Sequence, residues 1–325
     1  MPNPFAAPTV RDIEFYLVVE AGALEAQAIL LCESIRKFAG AYANAAIIAV
    51  SPRADRRPSA ATLRAFDGLA VEYLALDLTS CCPEYSTAIR IHVTPMVARR
   101  PGPPILVQLD SDTLFLGEPD LALPNVDIAA RPVDLKGICT GGANDPMDKF
   151  WRDLCALCGV AYDSIPQVLT TVSPTPVSAA YNGGLIAARR DCGVFERTED
   201  FFKRLVASDL RPRRNASGSF RTGTGVVADA GAEFWGSTQA AFSLAATAGG
   251  HAVRILSRSH NIPLHLFSQV HPTDEPPVHV HYHTLFDDGE CERNPLFDGR
   301  IQLPDETLAW LRGRAPLVAP ASELT

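Results

Sequence analysis

Apolar residues in this chain are grouped in short continuous runs separated by stretches of helical period. Phe15-Tyr16-Leu17-Val18-Val19 is unbroken, the pattern of a strand buried on both faces. The turn Glu20-Ala21-Gly22 follows, and then Leu24, Ala28, Leu31, Ile35 and Phe38 recur at intervals of four and three. That spacing predicts an amphipathic helix ending at Gly40. Residues 46–50 predict a second strand, 60–66 a helix and 70–76 a third strand. Residues 85–99 read as a helix interrupted at Pro95, leading into the apolar run 105–109, and 126–130 as a further strand. Strands alternating with helices imply βαβ units with right-handed crossovers. The expected fold class is therefore α/β: a mostly parallel central sheet with helices on both faces.

From about residue 131 the loops lengthen, and Pro, Gly, Ser and Thr cluster at 140–146, 164–178 and 211–225. Short apolar runs return at 184–187 and 252–256, and an alternating strand at 278–283 precedes a C-terminal helix. We read residues 1–325 as one domain, with a half at about 11–131 and a closing half at about 132–325.

Composition narrows the class. Apolar residues are 47 % and charged residues 20 %, which fits a globular enzyme and not a disordered chain. A formal charge of −8 argues against nucleic-acid binding, which needs a basic surface. No apolar run approaches the roughly 20 residues that span a bilayer, and residues 1–11 lack a basic start followed by an apolar core. The expectation is a cytoplasmic protein, with peripheral docking at a membrane left open. Eight cysteines without an export signal then read as reduced thiols. Cys155-Ala-Leu-Cys158 is a lone C-x-x-C inside a helical pattern, and core packing accounts for it better than zinc.

The candidate chemistry begins where Ile105-Leu106-Val107-Gln108-Leu109 runs into Asp110-Ser111-Asp112. Unpaired carboxylates are costly inside a buried strand, so both belong just past its carboxyl end, where open α/β sheets bind ligands. If extended geometry continues, Asp110 and Asp112 point the same way. That suits a divalent cation whose shell is completed by substrate oxygens. The same tripeptide is also common in turns. In Val278-His279-Val280-His281-Tyr282-His283 alternation places the three imidazoles on one face, with the valines toward the core. One His joining two aspartates suits Mn²⁺ better than Mg²⁺, because imidazole favours the later metals.

The order of these motifs resembles the GT-A class of nucleotide-sugar glycosyltransferases, nearest to glycosyltransferase family 8, the glycogenin-like and lipopolysaccharide galactosyltransferase-like enzymes. Tyr85-Ser86-Thr87-Ala88-Ile89-Arg90-Ile91 stands where that family has a Tyr-x-Arg-Leu helix. Val107-Gln108-Leu109-Asp110-Ser111-Asp112-Thr113-Leu114-Phe115 is similar to its Asp-x-Asp strand. Tyr181-Asn182-Gly183-Gly184-Leu185-Ile186 matches its Phe-Asn-x-Gly-Val-Leu, Ser259-His260-Asn261 its Pro-x-x-Tyr-Asn, and His281-Tyr282 its closing His-Tyr/Phe. Together these cover most of residues 13–285.

The resemblance implies a hexosyltransferase: a Rossmann-like fold with a nucleotide-binding half and an acceptor-side half. It would move a sugar from a nucleotide-diphosphate donor, a UDP-sugar, to an acceptor hydroxyl with retention, the acceptor being a glycan, a lipid-linked species or a small molecule. Asp110 and Asp112 would hold Mn²⁺ (or Mg²⁺) with His281 or His283. Asp112, Asn182 and Gln239 would be catalytic. Val19, Glu20, Ala21, Arg90, Ser111, Gly183 and Gly184 would contact the donor, the flexible glycines approaching its sugar. A homodimer is compatible with this reading.

Two departures mark the chain as divergent. The family's Asp before Gln239 is Thr238, with Glu233 and Asp229 as substitutes in reach of the sequence. Its closing Lys-Pro-Trp is absent, leaving Arg90, Arg258 or Arg293 for the leaving diphosphate; the chain has four Lys against twenty-five Arg. Competing readings are a sugar-phosphate nucleotidyltransferase, disfavoured by the acidic Glu20–Glu25 loop, and a silent nucleotide-sugar-binding protein of the same fold. The basic segment 211–219 reads as a solvated loop, with a lid or acceptor contact as the alternative.

Overall fold

The computed structural model describes residues 9–214, 220–222, 225–227, 229–270 and 275–320. These form two compact units. An opening unit comprises the described residues of Pro8–Asp77, Gln108–Asp120 and Ser257–Thr325, and an intervening unit those of Leu78–Val107 and Leu121–Leu256. Residues 215–219, the polar remainder of the basic segment 211–219, lie outside the described residues.

The opening unit starts with β1 (Ile13–Val18), α1 (Ala23–Phe38), β2 (Ala46–Ser51), α2 (Ala60–Gly68) and β3 (Glu72–Ala75). The intervening unit then supplies α3 (Ile89–Arg99) and the first residues of β4 (Ile105–Leu109), and the opening unit β5 (Thr113–Phe115). Next, in the intervening unit, come β6 (Ile128–Pro132), α4 (Asp148–Cys158), β7 (Gln167–Leu169), β8 (Pro176–Ser178), β9 (Tyr181–Arg189) and α5 (Val194–Ala207). It continues with β10 (Phe220–Thr222), β11 (Gly225–Val227), α6 (Asp229–Ala232), α7 (Ser237–Ala248) and β12 (Val253–Ile255). The opening unit closes with β13 (Ile262–Pro263), β14 (His279–His281) and α8 (Asp305–Arg312). The strands are mostly parallel as expected: in the opening unit β1, β2 and β3 pair in parallel, and in the intervening unit β12 is parallel and β9 antiparallel to β6.

In the opening unit β1 pairs parallel with β2 (Phe15 opposite Ile47), and β2 with β3 (Ile48 opposite Glu72). β1 is buried throughout, and α1 buries the expected stripe of Leu24, Ala28, Leu31 and Ile35. The turn into α1 needs φ near +100° at Gly22, which a side chain would strain. Arg36 locks the far end of α1, donating to the carbonyls of Ala43, Ala45, Leu69 and Ala70.

A separate three-stranded sheet positions the chemistry. β14 runs antiparallel to β5, with His281 opposite Thr113, and β13 runs parallel to β14. Just past β14, the Tyr282 N–H donates to the Asp112 carbonyl at 3.0 Å. Leu114, Val280, Tyr282, Phe286, Leu296 and Leu311 pack as one buried cluster beneath it.

Several expectations change. β14 ends at His281 and is buried on both faces, so His279 does not share an open face with His281. Instead His279 stacks on Phe115 at 4.6 Å, and burial drives its pKa well below the usual value, leaving a neutral core imidazole. Pro95 lies within α3 without ending it. Gly183 and Gly184 sit inside β9 and not in a flexible loop, opposite a register shift in its pairing with β6: Tyr181 and residues 186–188 pair on either side of them. Cys155 and Cys158 are buried on α4 without a disulfide, the core role expected of them. No helix among the described residues is long and apolar enough to cross a membrane.

Candidate functional site

Beyond Leu109 the chain does not stay extended. Ser111 and Asp112 turn, and β5 begins at Thr113. The Ser111 hydroxyl, buried, donates to the Val18 carbonyl, and the Thr113 hydroxyl to the Asp110 carbonyl at 2.6 Å. This turn aims Asp112 at two imidazoles. Asp112 Oδ1 lies 3.2 Å from His281 Nε2, and Oδ2 lies 3.1 Å from His283 Nδ1. The three side chains each present a ligand atom, all within 4.8 Å of one another. Asp110 is not in that group, because the turn breaks the alternation that would have brought the two carboxylates together.

His283 reaches the cluster by an unexpected route. The strand has ended, and residue 283 takes a left-handed backbone with φ near +51°. Such a conformation is uncommon for a residue with a Cβ and is concentrated at functional sites. The His281 and His283 rings lie 4.1 Å apart, and His265, unflagged by the sequence, stands edge-on to His283 at 4.2 Å. Burial raises the Asp112 pKa, but the charge and hydrogen bond of His281, joined by those of His283, bring it well below the ordinary carboxylate value. One carboxylate and two imidazoles form a donor set that could hold a divalent first-row transition metal. An all-oxygen shell would be the sign of Mg²⁺.

In the same unit, the carboxyl end of β1 leads to the residues expected to meet the nucleotide. Val19 is buried and continues the sheet, its N–H donating to the Val50 carbonyl at 2.9 Å. Glu20 is buried, its carboxylate held by Arg53, whose Nε lies 2.7 Å from Oε1. Ala21 is exposed at the tip of the turn. Arg258 is exposed, and Arg293 is exposed and pairs with Glu290 at 3.5 Å.

The intervening unit brings together a second set. Asn182 is buried on β9 with its amide oriented from both ends. Its oxygen accepts from the Gly184 N–H at 2.9 Å, and its nitrogen donates to Asp134 at 2.7 Å. Asp134 also accepts from the Thr171 hydroxyl at 2.8 Å. The sequence reading missed Asp134, although its place two residues past the end of β6 was a usable signal. Arg90, in the first turn of α3, donates to the Gly183 carbonyl at 3.4 Å. Gln239 lies in the first turn of α7, half-buried. Thr238, in place of the family's Asp, bonds the buried Tyr85 hydroxyl. Glu233 is 3.8 Å from Arg211, and the Asp229 side chain lies outside the described residues.

No curated protein matches the sequence. The solved structures similar to it include apo mouse xyloside xylosyltransferase 1, with a TM-score of 0.45 and 12 % identity over 83 % of this chain and 97 % of that one. The galactosyltransferase LgtC in complex with donor and acceptor sugar analogs gives 0.49 and 11 %, over 94 % and 97 %. The bifunctional glycosyltransferase WbbM gives 0.46 and 11 %, over 86 % and 46 %. The sequence itself is more decisive: residues 15–213, more than half of the chain, match the model of the Rhodobacterales glycosyltransferase domain. That stretch runs from β1 past Asp112, Asp134 and Asn182, and on its strength the chain belongs to the Rhodobacterales glycosyltransferase domain family and is a glycosyltransferase.

Proposed function

We propose that this glycosyltransferase takes its sugar from a nucleotide-diphosphate donor, a UDP-sugar, in a reaction that depends on Mn²⁺. The observation that carries this is the meeting of Asp112, His281 and His283, from two distant parts of the chain, around one point. Those three side chains would hold the metal, and Asp110, two residues before Asp112, would meet the donor. A bound divalent ion would supply Lewis-acid neutralisation of the leaving diphosphate. Each unit contributes its own part. In the opening unit Val19, Glu20 and Ala21 bind the nucleotide, with Arg53 fixing the Glu20 carboxylate and Ser111 tying the Asp-x-Asp turn to β1.

In the intervening unit, Arg90 places its charge on the diphosphate, where guanidinium and phosphate oxygens match in geometry. Asn182, held rigid by Asp134 and Gly184, and Gln239 orient the donor sugar for attack by the acceptor hydroxyl. Gly183 and Gly184 keep the backbone close to it. The family 8 resemblance favours retention of anomeric configuration. The acceptor is a glycan, a lipid-linked species or a small molecule. Membership of a glycosyltransferase family favours this over the nucleotidyltransferase reading.

The test is calorimetry of UDP with Mn²⁺, Mg²⁺ or Zn²⁺, followed by donor hydrolysis over a panel of nucleotide sugars. We expect UDP affinity and turnover with Mn²⁺ to exceed those with Mg²⁺, and H281A and H283A each to weaken Mn²⁺ binding on the order of 10- to 100-fold. Equal activity in excess chelator would remove the metal from the reading, and binding without turnover would point to the silent protein.

A smaller effect is expected at Asp134. D134N keeps the shape but replaces a charged acceptor by an amide. The loss of one charge-assisted hydrogen bond at Asn182 should lower kcat about tenfold with little change in donor KM. Single-turnover kinetics on D134N beside N182A checks it, and an unchanged kcat would assign Asp134 to loop structure alone.

A further inference from the structure

We propose that Gly183 is a positioning residue for Arg90, its missing side chain being the berth that seats the guanidinium. The proposal rests on the reading that Arg90 meets the donor diphosphate. A Cβ on Gly183 would lie 2.5 Å from Arg90 Nη2, 3.3 Å from Cζ and 3.6 Å from Nη1. The first of these is a separation that real Cβ contacts essentially never show. The berth is two-sided, because the same residue offers its carbonyl to Arg90 Nη1 at 3.4 Å.

The φ angle at this position does not demand glycine, although β9 shifts register against β6 here. Gly183 lies inside β9 and outside the left-handed region, so its conformation is open to any residue. Glycine weakens a strand interior and there often marks the close approach of another group. Gly183 also fills the variable position of the Phe-Asn-x-Gly motif, so the berth is a property of this chain.

The scaffold around the pair decides what moves when the berth is filled. The Arg190 side chain donates to the Val97 carbonyl at 2.6 Å, and His92 on α3 meets Glu199 on α5 at 3.0 Å. Glu199 in turn pairs with Lys203 at 2.6 Å. With α3 held in this way, the flexible end of Arg90 yields before the strand does. A methyl group at residue 183 therefore swings the guanidinium out of place without unfolding the sheet.

The experiment compares the full-length parent with G183A, R90A and R90A/G183A, using UDP titration in the presence of Mn²⁺ and thermal unfolding. We expect G183A to unfold like the parent and both single variants to bind UDP about tenfold more weakly. The double variant should be no worse than R90A, because without a guanidinium the berth has nothing to seat. If R90A binds UDP as tightly as the parent, the diphosphate reading of Arg90 fails and takes the proposal with it. If R90A is weakened while G183A is not, or if the two losses multiply, that reading stands and the berth is overturned. Should G183A fail to fold, R90A/G183A decides: folding like R90A supports the berth, and failing to fold shows that the strand itself requires glycine.

Discussion

Replacing Asp112 with Ala is expected to remove measurable Mn²⁺ binding and to lower sugar transfer by about three orders of magnitude, roughly 4 kcal/mol of barrier. The size follows from its position. Among the described residues Asp112 is the carboxylate of the cluster, and it faces both His281 and His283. Its pKa is well below the usual value, so it enters the metal site already ionised. Removing it takes from the cluster the carboxylate charge that would offset a divalent ion. The imidazoles must give up their protons to ligate, so metal affinity in the parent should fall in acid.

D112N, of the same shape, should lose nearly as much as D112A, which separates charge from packing. Asp110 gives the contrast. Standing outside the cluster, D110N should weaken donor affinity while leaving Mn²⁺ binding within a few-fold of the parent. Calorimetric titration of Mn²⁺ into the three variants, alongside donor hydrolysis, checks these outcomes. Retention of parental Mn²⁺ affinity by D112A would mean that the ion is held elsewhere.

The parts of the fold legible in the sequence were those encoded locally. β1, α1, β2 and α2 were announced by unbroken apolar runs and by the spacing of Leu24, Ala28, Leu31 and Ile35, and their bounds are met within about three residues of those expected. The Asp-x-Asp and His-Tyr-His segments were also visible, because charged and imidazole side chains stand out at the ends of apolar strands. What could not be read was geometry fixed by partners distant in sequence. Alternation predicted an open face for His279, but Phe115 and the surrounding core bury it. His283 joins the cluster through a left-handed backbone at the strand end, which no periodicity encodes. Asp134 was passed over although it lies just past the carboxyl end of β6, because its partner is remote in sequence. Its role depends on Asn182, forty-eight positions later, reaching back to it. Gly183 and Gly184 read as flexible from sequence, and only the fold shows that they lie within β9, where its register against β6 shifts.

The largest loss of stability is expected at Glu25, a residue with no part in the chemistry. Glu25 lies in the first turn of α1 and is almost fully buried. Its Oε1 accepts from the Gly22 N–H at 3.0 Å, while Oε2 accepts from the Ser59 N–H at 2.7 Å and the Thr62 hydroxyl at 2.6 Å. One carboxylate thus satisfies donors at the starts of both α1 and α2, where the helix dipoles also favour negative charge. E25A strands these donors in a buried site and should destabilise the protein by about 3 kcal/mol.

The pH dependence carries a definite sign. Burial works to raise the Glu25 pKa, but the bonds from Thr62, Ser59 and Gly22 prevail and hold it below the ordinary glutamate value. A folded-state pKa below the unfolded value contributes stability that is complete above the unfolded value and is lost as pH falls through the folded one. The gap between parent and E25Q in urea unfolding should therefore be widest near neutrality and close in acid. E25A also frees the Gly22 N–H and loosens the turn carrying Glu20 and Ala21, so the UDP affinity of the folded variant should drop as well. An E25A protein within about 1 kcal/mol of the parent at neutral pH, or a gap unchanged in acid, would show that the three donors find other partners.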